Sequence, residues 1–373
     1  MIQFELQATC PTTGARAGLL HTPHGIVETP VFMPVGTQAS VKGLTRRQLA
    51  EDLDTRIILG NTYHLYLRPG HETIARLGGL HKFMNWDRAI LTDSGGFQAF
   101  SLSKLTKITD QGVLFRSHID GDQHLFTPES TVDVQTALGS DIMMVLDECL
   151  AYPASHEAAR KSMERTIRWA RQSLDHWRRQ AGPQALFPIV QGSMFPDLRR
   201  ECAQRLADLD APGYAIGGLS VGEPRPISME MTEASVPELP RDRPRYAMGV
   251  GTPEELPEYV ARGVDMMDCV MPSRNARNGC LFTSSGKLII KHSRYKDDPR
   301  PPDEHCACST CRNHSRAYLR HLFQAGEMLF CTLATIHNLH RYLDIMRQMR
   351  QAIFLGAFSE FLAVVRSQLG EES

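Results

Sequence analysis

The sequence predicts an α/β protein built as a (β/α)8 TIM barrel, and three observations carry that prediction. Eight short apolar runs recur along the chain, helical pattern separates most of them, and polar groups follow the runs. A run that is apolar throughout suits a strand buried on both faces, as in a parallel sheet. Eight such strands alternating with helices suit a closed barrel, with a doubly wound sheet as the runner-up. In a barrel, catalytic groups lie just after the strands.

The elements follow in order. Residues 1–29 alternate apolar and polar positions around Gly and Thr, which predicts β-hairpins ahead of the barrel. The eight runs are Val31–Val35, Arg56–Leu59, Ala89–Leu91, Ile142–Leu146, Leu186–Val190, Tyr214–Ile216, Tyr246–Met248 and Val264–Met267. The clearest helix is Ser155–Gln180, where Ala159, Met163, Ile167, Ala170, Leu174 and Trp177 recur at spacings of three and four. Further helical pattern covers Thr45–Asp52, Pro128–Leu138, Pro196–Leu209 and Pro253–Ala261, with a closing helix near Ile336–Ile353. Two insertions interrupt the alternation. Residues 100–127 show β-like alternation with turns at Gly112 and Gly121, and residues 278–340 carry a cysteine cluster between strand eight and the closing helix. The domain reading is thus one barrel over 1–373 with an inserted metal-binding subdomain at 278–340.

Composition narrows the function classes. No apolar run approaches a membrane span and the N-terminus has no signal-peptide pattern. Nine cysteines, an odd number and mostly scattered, argue for a reducing cytoplasm and against a disulfide framework. Charge is uneven: 274–320 holds ten Lys/Arg against four Asp/Glu, so it carries +6 in a chain of net −1 and the remainder carries −7. A local basic face of this kind suits phosphate binding.

Three runs lead into aspartates, Asp93, Asp147 and Asp268. Carboxylates converging in one cavity push their pKa values apart, which divides acid from base roles. The bland alternative is an N-cap for the next helix. The stretch Gly263–Gly279 is the richest: a buried strand delivers Asp268, Pro272 stops it, and a loop carrying Arg274 and Arg277 follows. Guanidinium groups beyond a carboxylate suit an anionic polymer meeting a nucleophile. Cys306-x-Cys308-x-x-Cys311 predicts a closed, structural zinc site. Its fourth ligand is Cys331, His314, His321, His337 or His340, with His337 favoured because it opens the predicted closing helix.

These residues stand inside longer motifs: Asp93-Ser-Gly-Gly-Phe-Gln98, Asp147-Glu-Cys149, Gln191-Gly-Ser193, Gly217-Gly-Leu219, Val221-Gly-Glu223 and Asp268-Cys-Val-Met-Pro-Ser-Arg-Asn-Ala-Arg-Asn-Gly279, followed by the cysteines and His337. In this order they resemble the bacterial tRNA-guanine transglycosylases (queuine tRNA-ribosyltransferases), essentially end to end. The resemblance implies a barrel with an inserted zinc subdomain, a cytoplasmic homodimer, and exchange of guanine at the tRNA wobble position for 7-aminomethyl-7-deazaguanine. It implies Asp268 as nucleophile and Asp93 as general acid/base, in a retaining double displacement. Asp147, Gln191 and the Gly218 amide would read the base edge, with Ser94 and Leu219 beside them, and Phe97 and Met248 would sandwich the ring. Arg274 and Arg277 would contact flanking nucleotides and help keep Asp268 ionised. Cys306, Cys308, Cys311 and His337 would hold structural Zn2+. Cys149 and Val221 match the bacterial pocket, and Glu223 with the Leu219 carbonyl would receive the exocyclic ammonium. Phe97 stands where some relatives carry Tyr, and Ala334 where many carry Asn. Two rival readings are a retaining glycoside hydrolase, which needs neither the cysteine knuckle nor the basic segment, and a non-catalytic zinc-ribbon RNA binder.

Overall fold

A computed structural model describes residues 2–102 and 106–368. The N-terminal strands β1 (Gln3–Thr9), β2 (Arg16–Thr22) and β3 (Gly25–Thr29) form an antiparallel sheet in the order β1-β2-β3, as the hairpin reading predicts. The barrel follows: β4 (Val31–Gly36), β5 (Ile57–Gly60), β6 (Ala89–Thr92), β10 (Ile142–Met144), β11 (Ala185–Phe187), β12 (Ile189–Val190), β13 (Tyr214–Ile216), β14 (Arg245–Ala247) and β15 (Met266–Cys269). Their pairings are parallel, in the order β11-β10-β6-β5-β4-β15-β14-β13-β12. The two ends of that order are consecutive pieces of one run, 185–190, divided at Pro188. Proline has no amide hydrogen for the ladder, so the run splits there. Its first half pairs with β10 and its second with β13, which nearly closes the barrel. The strands are buried at almost every position, which is why they read as continuous apolar runs.

Helices fill the outside. His156–Gln180 is capped by the Ser155 hydroxyl, which accepts the Ala158 amide, and its predicted apolar stripe is buried from Ala159 to Leu174, with Trp177 half-buried. Pro128–Leu138 and Pro196–Ala207 also fall where expected. Thr62–Leu67, His71–Arg76, Gly79–Phe83 and Arg225–Ser235 carry no strong periodicity, and the structure adds them. The first insertion contributes the antiparallel strands β7 (Lys107–Ile108), β8 (Val113–Arg116) and β9 (Gln123–Phe126); positions 103–105 of the predicted stretch lie outside the described residues.

Two expectations near the C-terminal end are corrected. Arg274 and Arg277 lie on a short helix, Met271–Arg277, and not in a loop. The strand already ends at Cys269, and Pro272 falls in the first turn of that helix, where a proline lacks only an amide that would go unpaired. The closing helix spans Met328–Phe354, starting eight residues before Ile336. Between them, β16 (Cys280–Thr283) and β17 (Gly286–Ile289) form a hairpin, and Leu281, Leu288, Ile290, Leu319, Leu322 and Phe330 pack into a small core of their own. No helix among the described residues is long and apolar enough to cross a membrane.

Candidate active site and metal centre

The C-terminal ends of the barrel strands open into a cavity of about 380 Å3. Asp93, Ser94, Phe97, Asp147, Gln191, Gly218, Leu219, Met248 and Asp268, every predicted catalytic and base-binding residue, line it. They come from six different strands or the loops that follow them, so only the closed barrel brings them together.

Asp268 sits inside β15, buried. Its Oδ1 accepts the Tyr246 hydroxyl at 2.6 Å and the Gly249 amide at 2.8 Å. Burial pushes its pKa up, against those two hydrogen bonds. Arg274 and Arg277 are not among the groups acting on it, so the expected arginine support is absent. The helix carries Arg274 into solvent, and Arg277 turns back to donate to the Ser273 carbonyl at 2.8 Å. Tyr246 does the holding, and the sequence reading missed it. Its place two residues before Met248 on a strand was the available signal, since alternate residues share a face.

Asp93 follows β6. Asn61 Nδ2 donates to its Oδ2 at 2.6 Å and the Thr62 amide to its Oδ1 at 2.9 Å. Its pKa is pushed up to about 7, chiefly by burial, with the charge of Asp268 adding to it. Asp147 accepts Gln191 Nε2 at 2.7 Å and rises to about 6, again chiefly by burial, with Gln191 opposing and Glu148 adding to the rise. A Cβ on Gly217 would come within 2.9 Å of Gln191 Nε2, so glycine leaves this pair its space. Val221, Cys149 and His64 also line the cavity. Glu223 does not: its carboxylate accepts the Ser220 and Val221 amides at 2.6 and 2.8 Å and the Ser228 hydroxyl. It is committed to its own loop, which corrects its assignment as a receptor for an ammonium group.

The cysteine knuckle meets the closing helix. Donor atoms of Cys306, Cys308, Cys311 and His337 all lie within 4.8 Å of one another. His337 Nδ1 stands 3.2 Å from Cys311 Sγ and 3.7 Å from Cys308 Sγ. Its Nε2 donates to the Phe282 carbonyl at 2.9 Å, which leaves the Nδ1 lone pair facing the sulfurs. Three thiols and one imidazole on a common centre are a donor set that fits a tetrahedral metal ion. His337 is well inside its helix and not in the first turn, since the helix starts at Met328. His340, one turn on, approaches Cys306 Sγ at 3.5 Å.

Residues 10–371 match the family model described as queuine tRNA-ribosyltransferase. A protein of that name from Solibacter usitatus is 68% identical over 372 residues, covering 99% of this chain and 98% of the relative. Relatives of the same name from Thermoanaerobacter pseudethanolicus and Koribacter versatilis are 58% and 55% identical, covering 96% and 98% of both chains respectively. The chain therefore belongs to the queuine tRNA-ribosyltransferase family.

Proposed function

We propose that the protein exchanges guanine at the wobble position of tRNA for 7-aminomethyl-7-deazaguanine, through a covalent ribosyl-aspartate. The observation that carries this reading is the convergence of Asp93, Asp147 and Asp268 on one cavity, with no cation among the described residues paired to any of them. Asp268 Oδ1 is held by Tyr246 and Gly249, and Oδ2 has no hydrogen-bond partner among the described residues. Oδ2 attacks the anomeric carbon of the target ribose, the bond to guanine N9 breaks, and a ribosyl ester forms. Asp93, with its pKa about 7, protonates the departing base. It then takes the N9 proton of the incoming base, whose nitrogen attacks the anomeric carbon and frees Asp268.

Asp147 and Gln191 read the base edge, with Ser94, Gly218 and Leu219 beside them, while Phe97 and Met248 stack on its faces. Val221 fills space that a larger base would need. Val221→Gly should improve use of queuine relative to the aminomethyl base by about tenfold, the scale of relieving one overpacked contact. Competition kinetics check this. Arg274, exposed on the helix that follows β15, and Arg277 contact the flanking nucleotides. Cys306, Cys308, Cys311 and His337 would hold zinc in a structural role, tying the knuckle to the closing helix. The protein works in the cytoplasm as a homodimer.

Incorporation of labelled guanine into purified tRNA tests the proposal. Release of sugar from a simple glycoside, without exchange, would support the hydrolase reading instead.

A further inference from the structure

Arg199 lies on the Pro196–Ala207 helix and is fully buried. Among the described residues no carboxylate forms an ion pair with it, and Glu223 acts on it only at a distance. Its Nε donates to the Ser193 carbonyl at 2.8 Å. One terminal nitrogen donates to Val190 at 3.3 Å and Gly217 at 2.6 Å, and the other to Gly218 at 3.1 Å. Burial lowers its pKa to about 10, so it stays cationic at neutral pH. A buried cation held only by carbonyls is expensive unless every donor is used.

The four carbonyls belong to two segments that build the base pocket, one around Gln191 and one around Gly217–Leu219. In a trans peptide the carbonyl and the next residue's N–H point in opposite directions. Turning the Gly217 and Gly218 carbonyls onto the guanidinium therefore turns the Gly218 and Leu219 amides away from it. Neither amide has a protein acceptor among the described residues, and both residues line the cavity. Gly218 takes φ +64°, and a Cβ there would lie 2.5 Å from Gln191 Oε1 and 3.1 Å from Arg199. The segment is thus built for one conformation, with Arg199 as its clamp.

We infer that Arg199 is a positioning residue for base recognition: it fixes the Gly217–Leu219 backbone so that two adjacent amides present a donor pair to the carbonyl oxygen of a 6-oxopurine. The inference rests on the base-exchange reading above. Its consequence is selective, because a base without the 6-oxygen gains nothing from those donors.

The test compares wild type, Arg199→Lys and Arg199→Met in full-length protein, using inhibition of labelled-guanine incorporation by unlabelled guanine and by 2-aminopurine, which lacks the oxygen. In Arg199→Met, guanine should weaken by about tenfold, the loss of one to two hydrogen bonds, and 2-aminopurine by less than about threefold. Covalent trapping of tRNA should weaken in parallel with guanine, because the departing guanine occupies the same pocket. Arg199→Lys keeps the charge and one or two of the bonds, so it should fall between. Equal weakening of both bases, or no weakening of either, in variants that melt as wild type would overturn the inference. If Arg199→Met does not fold, Arg199→Lys decides it by the same ratio. Wild-type protein that exchanges no base would overturn the transglycosylase reading, and direct binding of the two bases by calorimetry would still judge Arg199.

Discussion

The two ends of the barrel treat the same residue type in opposite ways. Asp265 precedes β15 and is fully buried, with Arg16 donating to both its oxygens at 2.8 and 2.6 Å and the Arg245 amide adding a third bond. Asp141 precedes β10, also buried, and receives His24 Nδ1 at 2.7 Å, His81 Nε2 at 3.3 Å and the Ile90 amide at 2.8 Å. Burial alone would raise Asp141, but its partners hold it below the usual carboxylate range. Three residues beyond Asp265, at the other end of the same strand, Asp268 is buried with no cation partner among the described residues, and its pKa goes up. Asp93 and Asp147 behave like Asp268. Depth does not separate the two groups, since all five are buried or lie in the enclosed cavity. Partners do. Paired aspartates at the strand starts lock the N-terminal sheet to the barrel, whereas unpaired ones at the strand ends keep reactivity at a cost in stability.

The largest effect should come from the unpaired end. Asp268→Asn should cut base exchange by about ten-thousandfold or more, the scale of removing a nucleophile. Its melting temperature should be no lower than wild type, because the change removes a buried charge without a cation; a large drop would put Asp268 with the structural aspartates. At the paired end the signs reverse. Asp265→Asn leaves Arg16 buried and unpaired and should cost about 3–5 kcal/mol in denaturant unfolding. The fraction that stays folded should bind guanine as wild type does. Next comes the knuckle. Cys311→Ser should lower zinc content well below about one ion per chain and destabilise 278–340 before it affects base binding, as metal analysis and hydrogen exchange would show. The smallest effect is one of pH. The folded pKa of Asp93, about 7, is above the usual 3.8, so its ionisation increasingly opposes folding as pH rises from about 4 to about 7. Asp93→Asn should therefore raise the melting temperature more at pH 8 than at pH 5. An equal shift at both would remove the assigned burial cost.

Which parts of this were legible in the sequence follows from how local their causes are. The barrel strands could be read because burial on both faces makes each one a continuous apolar run. Their limits could not: Val264 is apolar, yet its amide closes the preceding helix by bonding to Tyr259, and the strand begins at Met266. The site aspartates were legible from position alone, just after a run. Their partners were not, because Tyr246 reaches Asp268 across 22 residues and Arg16 reaches Asp265 across 249. Sequence neighbours misled in the same place. Arg274 and Arg277 stand close to Asp268 along the chain, but the helix at Met271 turns them elsewhere. Arg199 gave no signal, since a lone arginine in an amphipathic helix reads as a solvent-facing charge.

The central claim is that the unpaired carboxylate of β15 forms the bond to ribose. Mass spectrometry of the peptide–nucleotide adduct, after denaturing the protein mixed with tRNA and digesting both, tests it most directly. The account predicts a ribosylated peptide containing Asp268 in wild type and none in Asp268→Asn. An adduct on the peptide of Asp93 or Asp147, or one that survives Asp268→Asn, would contradict it.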